Sequence, residues 1–193
     1  MVMSAAQREA ILQVLWPEGK ASKRGVWAIL DCARDPRIYL VLLESRLEFR
    51  CLYSGKLPRE LVLVAPHLVE LFPESRLTQR LVSEGWGRSW GVFLTIDDPS
   101  NLRHHLRKFL KVQDEDGRSL LFRYFDPRVL RVYLPTCRAD ELRQLFGPID
   151  SFFAEAATGM GIESFSLKAG SLHHVVARGG HPAARMLERG AQA

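Results

Sequence analysis

LLFRYFDPRVLRVYLPT, residues 120–136, joins two apolar runs through a charged triplet, Asp126-Pro127-Arg128. The run before it has the aromatic-rich, apolar character of a strand. The run after it repeats apolar residues at helical spacing. Proline at the first position of a helix loses no hydrogen bond, and its φ is preset for the helix. It also pushes the residue before it out of the α region. An aspartate there is placed as an N-cap, accepting orphan N–H groups at the positive end of the helix dipole. The triplet therefore predicts a strand that turns into a helix. It occurs again as Asp35-Pro36-Arg37 within LDCARDPRIYLVLLE, residues 30–44. The helix start accounts for Asp35, Pro36, Asp126 and Pro127. It does not account for Arg37 and Arg128, because a cation in the first turn opposes the dipole. Each arginine must answer a carboxylate, its own aspartate or Asp31, or point outward to a partner.

Working outward, strands are expected at 25–31, 47–53, 61–65 and 89–97. Helices are expected at 4–16, 35–44, 67–71, 77–84, 99–110 and 140–146, with a short one after Asp126. Asp98 and Pro99 are read as the cap and first residue of the 99–110 helix. Asp116-Gly117 between two strand-like runs predicts a hairpin near 111–124. The alternation gives an α/β fold: a mixed sheet with helices packed on it. Three segments are expected: an N-terminal helix in 1–20, an α/β domain over 21–150, and a short, partly flexible C-terminal extension over 151–193. That extension holds two weak strand candidates.

Composition narrows the functional classes. The chain has 193 residues, 47% of them hydrophobic, and a net charge of +5. A core of ordinary size follows without disulfides. Cys32, Cys51 and Cys137 are isolated in sequence and odd in number, which suits a reducing compartment and no structural zinc. No apolar run approaches the length of a membrane span. The expected location is the cytoplasm, with no membrane partner.

Gly87-Arg88-Ser89-Trp90-Gly91 fits the G-x-S-x-G pattern of a serine hydrolase, with Asp126 and His173 or His174 available downstream. The elbow needs a strand before the serine and a helix after it, and the expected elements stand in the reverse order. His67 and Glu70 would share a face of a helix, a weak metal pattern. Arg103, Arg107, Lys108 and Lys111 line one face of the 99–110 helix and repel one another unless something acidic answers. The readings there are, in order, a solvated face, an acidic protein partner and nucleic acid. The last lacks the interleaved aromatic residues of a single-strand platform.

FRYFDPRVL, residues 122–130, resembles the signature of the type VI secretion effector chaperones, also called adaptor proteins. Other pieces agree in order: Ala28-Ile29-Leu30-Asp31, Leu52-Tyr53-Ser54-Gly55, Ala65-Pro66-His67-Leu68-Val69, Trp90-Gly91, His105-Leu106-Arg107, Asp116-Gly117 and Phe146-Gly147-Pro148. The resemblance covers about residues 26–150. His67 departs from it, standing where the family has an aromatic residue. Many relatives carry a longer, mostly helical C-terminal lobe than the 43 residues at 151–193, so an effector held by that lobe would here be expected to meet another or a reduced surface. The resemblance implies a protein that is not an enzyme and needs no cofactor. It would bind a toxic effector, the tip of a spike protein and in some cases a co-chaperone. Arg123, Asp126, Arg128 and Arg131 are the implied contact region, with Arg103 and Arg107 as a second patch. A hydrolase using Ser89 and a basic nucleic-acid-binding module are the alternatives.

Overall fold

In the computed structural model, residues 3–17 and 24–178 are described. Helix α1 (Ala5–Leu15) opens with a capping box, in which Ser4 and Gln7 bond each other's backbone N–H. Strand β1 (Gly25–Asp31), helix α2 (Arg37–Ser45), strand β2 (Phe49–Cys51), helix α3 (Arg59–Val64) and strand β3 (Pro66–Leu71) follow. Helix α4 (Arg76–Arg80) runs into a π-helical turn, Leu81–Gly85, before strand β4 (Gly91–Ile96). Helix α5 (Leu102–Arg107) leads to a hairpin of β5 (Lys111–Gln113) and β6 (Ser119–Leu121). Helix α6 (Pro127–Tyr133), helix α7 (Ala139–Phe146) and strands β7 (Ile149–Glu155), β8 (Gly161–Lys168) and β9 (Ser171–Arg178) are the last of the described elements.

Seven strands form one sheet in the order β2-β3-β1-β4-β7-β8-β9, and β5-β6 stands apart. The α/β class and the hairpin are as expected. The sheet is not mixed in direction, because every neighbouring pair in it is antiparallel. The helical crossovers are present but split. The connection carrying α2 joins β1 to β2, which run the same way with β3 between them. The connection carrying α4 joins β3 to β4 around β1. Each crossover skips one place, and an opposed strand fills it.

The period of two along the strands divides the core between two faces. Val26, Ala28 and Leu30 of β1 join α1, α2, α4 and the π-helical turn on one face. Ile29 of β1, Val92, Leu94 and Ile96 of β4 and Phe152 of β7 join α5, α6 and α7 on the other. The protein is thus a three-layer sandwich. Gly91 is required where β4 passes β1, since a Cβ there would stand 2.1 Å from the Ile29 carbonyl oxygen.

Several expectations are corrected. LVLVA (61–65) is not a buried strand; Pro58 starts α3 there, and none of its residues is buried. Residues 67–71 are not helical but belong to β3, which is paired on both sides. The 99–110 helix is regular only over 102–107, and Asp98 caps the preceding turn by accepting from Ser100. The sheet runs on past the expected boundary at 150, where β7, β8 and β9 extend it from β4. Nor is α1 a separate unit, since Ile11, Leu15 and Trp16 enter the core. The expected flexible tail beyond 178 lies outside the described residues.

Candidate functional site

The C-terminal ends of β1 and β7 and the first turns of α2 and α6 bring together most of the acid–base residues singled out in the sequence. At the second joint, Asp126 is the N-cap of α6. Its Oδ1 accepts the Arg128 backbone N–H at 2.9 Å and the Arg128 Nε–H at 3.0 Å. Its Oδ2 accepts the Nη2–H at 2.6 Å. The arginine therefore folds back onto its own aspartate in a two-pronged pair. The carboxylate lies inside, with the Asp126 side chain 4% exposed, while Arg128 is 50% exposed. Burial alone would raise Asp126, but the bonds from Arg128 and the charges of Arg128 and Arg123 outweigh it and hold the carboxyl below its usual range.

The first joint repeats the bonding. Asp35 accepts the Arg37 backbone N–H and Nε–H at Oδ1, both at 3.0 Å, and the Nη2–H at Oδ2. The Arg37 guanidinium also lies 5.5 Å from the Trp90 ring centroid, a cation–π arrangement. Both joints share the bonding, aspartate accepting the N–H two residues on and arginine closing back on it, but only the second is a true cap: Asp126 is the N-cap of α6, whereas α2 starts at Arg37 with Pro36 as its N-cap, which places Asp35 one residue earlier than expected.

Asp31 is not shared with either joint arginine. It is 1% exposed at the end of β1, and Arg123, 39% exposed, binds it from the segment before α6. Arg123 and Arg128 therefore sit side by side in sequence space around the second joint, each laid over a buried carboxylate. Both arginine side chains stay partly exposed. Arg131 turns inward instead: its Nη1–H donates to the Glu155 carbonyl, and its Nε lies 3.8 Å from Glu163. Arg103 is likewise a brace, donating to the Cys51 and Tyr53 carbonyls. It also lines a cleft of about 500 Å³ with Trp27, Leu68 and Phe72, built from other elements than the joints. Arg107 is half-buried on α5 and has no carboxylate partner among the described residues.

The G-x-S-x-G pattern has a different physical meaning. Gly87 and Ser89 both have positive φ, 79° and 58°. Their N–H groups converge on the Glu155 carboxylate at 2.6 and 3.0 Å, and the Ser89 hydroxyl donates to it at 3.0 Å. This is an anion-binding nest filled by an internal carboxylate. Burial still raises Glu155 above its usual range despite these bonds. Ser89 is buried, a π-helical turn precedes it and β4 follows. Its hydroxyl reaches a glutamate, Asp126 is occupied by Arg128, and His174 bonds Glu163 at 2.8 Å.

The His67/Glu70 pattern fails with the helix that carried it. Three residues apart on a strand, the two point to opposite faces. His67 is buried and bonds the Ala65 carbonyl at 2.9 Å, and burial lowers its pKa. Cys32, close to it, has its thiol pushed up to about 12 by burial. Among the described residues no three His, Cys, Asp or Glu side chains group as metal ligands. None of the described helices is long and apolar enough to cross a membrane.

Sequence reasoning missed the Glu155 nest. The available signal was a glycine pair bracketing a small polar residue just before a strand, which marks positive φ as readily as catalysis.

A family model described as a domain of unknown function, DUF4123, matches residues 26–144. No curated protein and no solved structure matches the chain.

Proposed function

The chain belongs to the DUF4123 family, and we propose that it is a type VI secretion effector chaperone. In this reading it holds a toxic effector in the cytoplasm and promotes its loading onto the tip of a spike protein. The work is recognition rather than chemistry. The supporting observation is the second joint, where Arg123 and Arg128 cover the buried carboxylates of Asp31 and Asp126 and remain 39% and 50% exposed themselves. Neutralised guanidiniums of this kind carry little net charge but keep hydrogen-bond donors in a fixed fork. They suit the carbonyls and carboxylates of a protein partner. Arg128 and Arg123 are the contact residues, Asp126 and Asp31 hold them, and Arg131 and Arg103 brace the framework behind.

The engagement of the Ser89 hydroxyl by Glu155 weighs against the hydrolase alternative. The closure of the joint arginines onto aspartates weighs against a phosphate-binding surface. The test is co-expression with the products of the genes flanking this chain's own. A spike protein and a toxin among them are expected to co-purify with the chain in a salt-tolerant complex. Fluorophosphonate labelling that disappears in Ser89→Ala, or failure to bind either class of protein, overturns the proposal.

A further inference from the structure

The β5–β6 hairpin is the one two-stranded sheet among the described residues, and all six of its strand residues are exposed. A two-stranded hairpin is marginal in water. Stability comes with a third strand and a hydrophobic face, or with a helix against it. Here neither strand pairs with another element. Val112 and Leu120 stand directly opposite each other, both exposed, on one face.

The bonding pattern defines the free edge. Phe122 N–H donates to the Leu110 carbonyl and Asp114 N–H to the Arg118 carbonyl. By the alternation of an antiparallel pair, the bonded positions are 110, 112 and 114. Lys111 and Gln113 therefore turn their N–H and C=O groups outward, and no partner meets them among the described residues.

The charge order along this edge is self-complementary. Arg107, Lys108 and Lys111 stand at the root, and Asp114, Glu115 and Asp116 at the tip. Arg118 binds Asp114 and Asp116, while Glu115 and the three root cations have no ionic partner among the described residues. Laid antiparallel on itself, such an edge sets root against tip.

We propose that β5 is a homodimerisation edge, pairing antiparallel with β5 of a second copy about a two-fold axis through Val112. In this register Lys111 exchanges backbone bonds with Gln113 of the second copy, which satisfies the outward groups of both. The two valines form the close, non-bonded pair at the centre. The result is a four-stranded sheet with one apolar row, Leu120, Val112 and their copies. Root cations of each chain lie along the acidic tip of the other. The interface is isologous, as a two-fold requires. It is also short, so association is weak and dilution reverses it.

The test uses the full chain, with mass measured by light scattering over about a hundredfold range of concentration. The expected mass rises from one chain toward two, and salt weakens the rise. Two variants check the register: Lys108→Glu with Lys111→Glu, and Glu115→Lys with Asp116→Lys. Each alone is expected to stay at one chain at every concentration, with an unchanged melting temperature. Mixed in equal amounts, they are expected to form a heterodimer visible by native mass spectrometry, because each reversed end then meets its complement. A wild-type chain that remains monomeric throughout overturns the proposal. So do variants that still self-associate, or a mixture that does not associate.

Discussion

The two Asp-Pro-Arg joints share their bonding down to the same atoms, yet they sit in different surroundings. Asp35 and Asp126 both accept the N–H two residues on, though only Asp126 is an N-cap, and Arg37 and Arg128 are equally exposed at 50%. The aspartates differ: 18% of the Asp35 side chain is exposed against 4% for Asp126. Pro36 is exposed and Pro127 is buried. Arg37 rests over Trp90, whereas Arg128 lies within electrostatic reach of Asp31 and Glu155, beside Arg123. A short motif thus fixes local geometry wherever it occurs. The layer it enters decides whether it is only a helix start or part of a larger polar cluster.

Stability measurements should break the pair apart. The largest effect is expected at the element that only the second joint possesses. Arg123→Ala leaves the buried Asp31 carboxylate without its cation. Removing one partner of a fully buried pair costs several kcal/mol, and the part-exposed guanidinium reduces this to about 2 kcal/mol. Urea unfolding would register it as a lower midpoint, and an unchanged midpoint would show that water replaces the arginine. Next comes the contrast between caps. Asp126→Ala is expected to cost about 1–2 kcal/mol, as for a strong N-cap, and Asp35→Ala about half as much. Equal losses would mean that burial of the second joint adds nothing.

A smaller effect follows from pH. Asp35 is lowered from its ordinary 3.8 to about 2, chiefly by the Arg37 hydrogen bonds. A depressed carboxyl contributes stability that is present above its unfolded pKa and lost as pH falls through the folded one. Wild type should therefore lose that increment between pH 3.8 and about 2, and Asp35→Asn should show a flatter acid limb. Glu155, raised by burial, acts in the opposite sense. Its burial cost is absent in the protonated form and grows as pH rises through the raised pKa. An acid limb that is no flatter in Asp35→Asn would remove the joint from the pH response.

Much of this was legible in the sequence, for definite reasons. The helix starts at Asp35 and Asp126 were readable because proline and aspartate act within three residues of themselves. The Asp116-Gly117 turn was readable likewise. LVLVA misled because β-branched runs signal burial in a sheet, while here the run forms an exposed α3 between β2 and β3. His67-Leu68-Val69-Glu70-Leu71 misled because apolar residues at i, i+1 and i+3 mimic a helix, and only pairing on both sides makes the strand. Strands β8 and β9 carry serines, histidines and Glu163, which weaken the strand signal. Those polar groups become tolerable only in the tertiary context, as with His174 on Glu163. The contact between Asp31 and Arg123 joins positions far apart in the chain and has no local signature.

The smallest stability effect and the central claim meet at the joint arginines. Arg128→Ala is expected to change stability by less than about 1 kcal/mol, as for an exposed residue, and Arg37→Ala to lower the melting temperature only slightly, through loss of the bonds that hold Asp35 down. The decisive measurement compares these two variants with wild type for capture of the co-expressed effector, alongside their melting curves. The account predicts that Arg128→Ala loses capture with its melting temperature intact, while Arg37→Ala captures as wild type does. Equal loss in both variants, undiminished capture in Arg128→Ala, or a collapse of its melting temperature would contradict it.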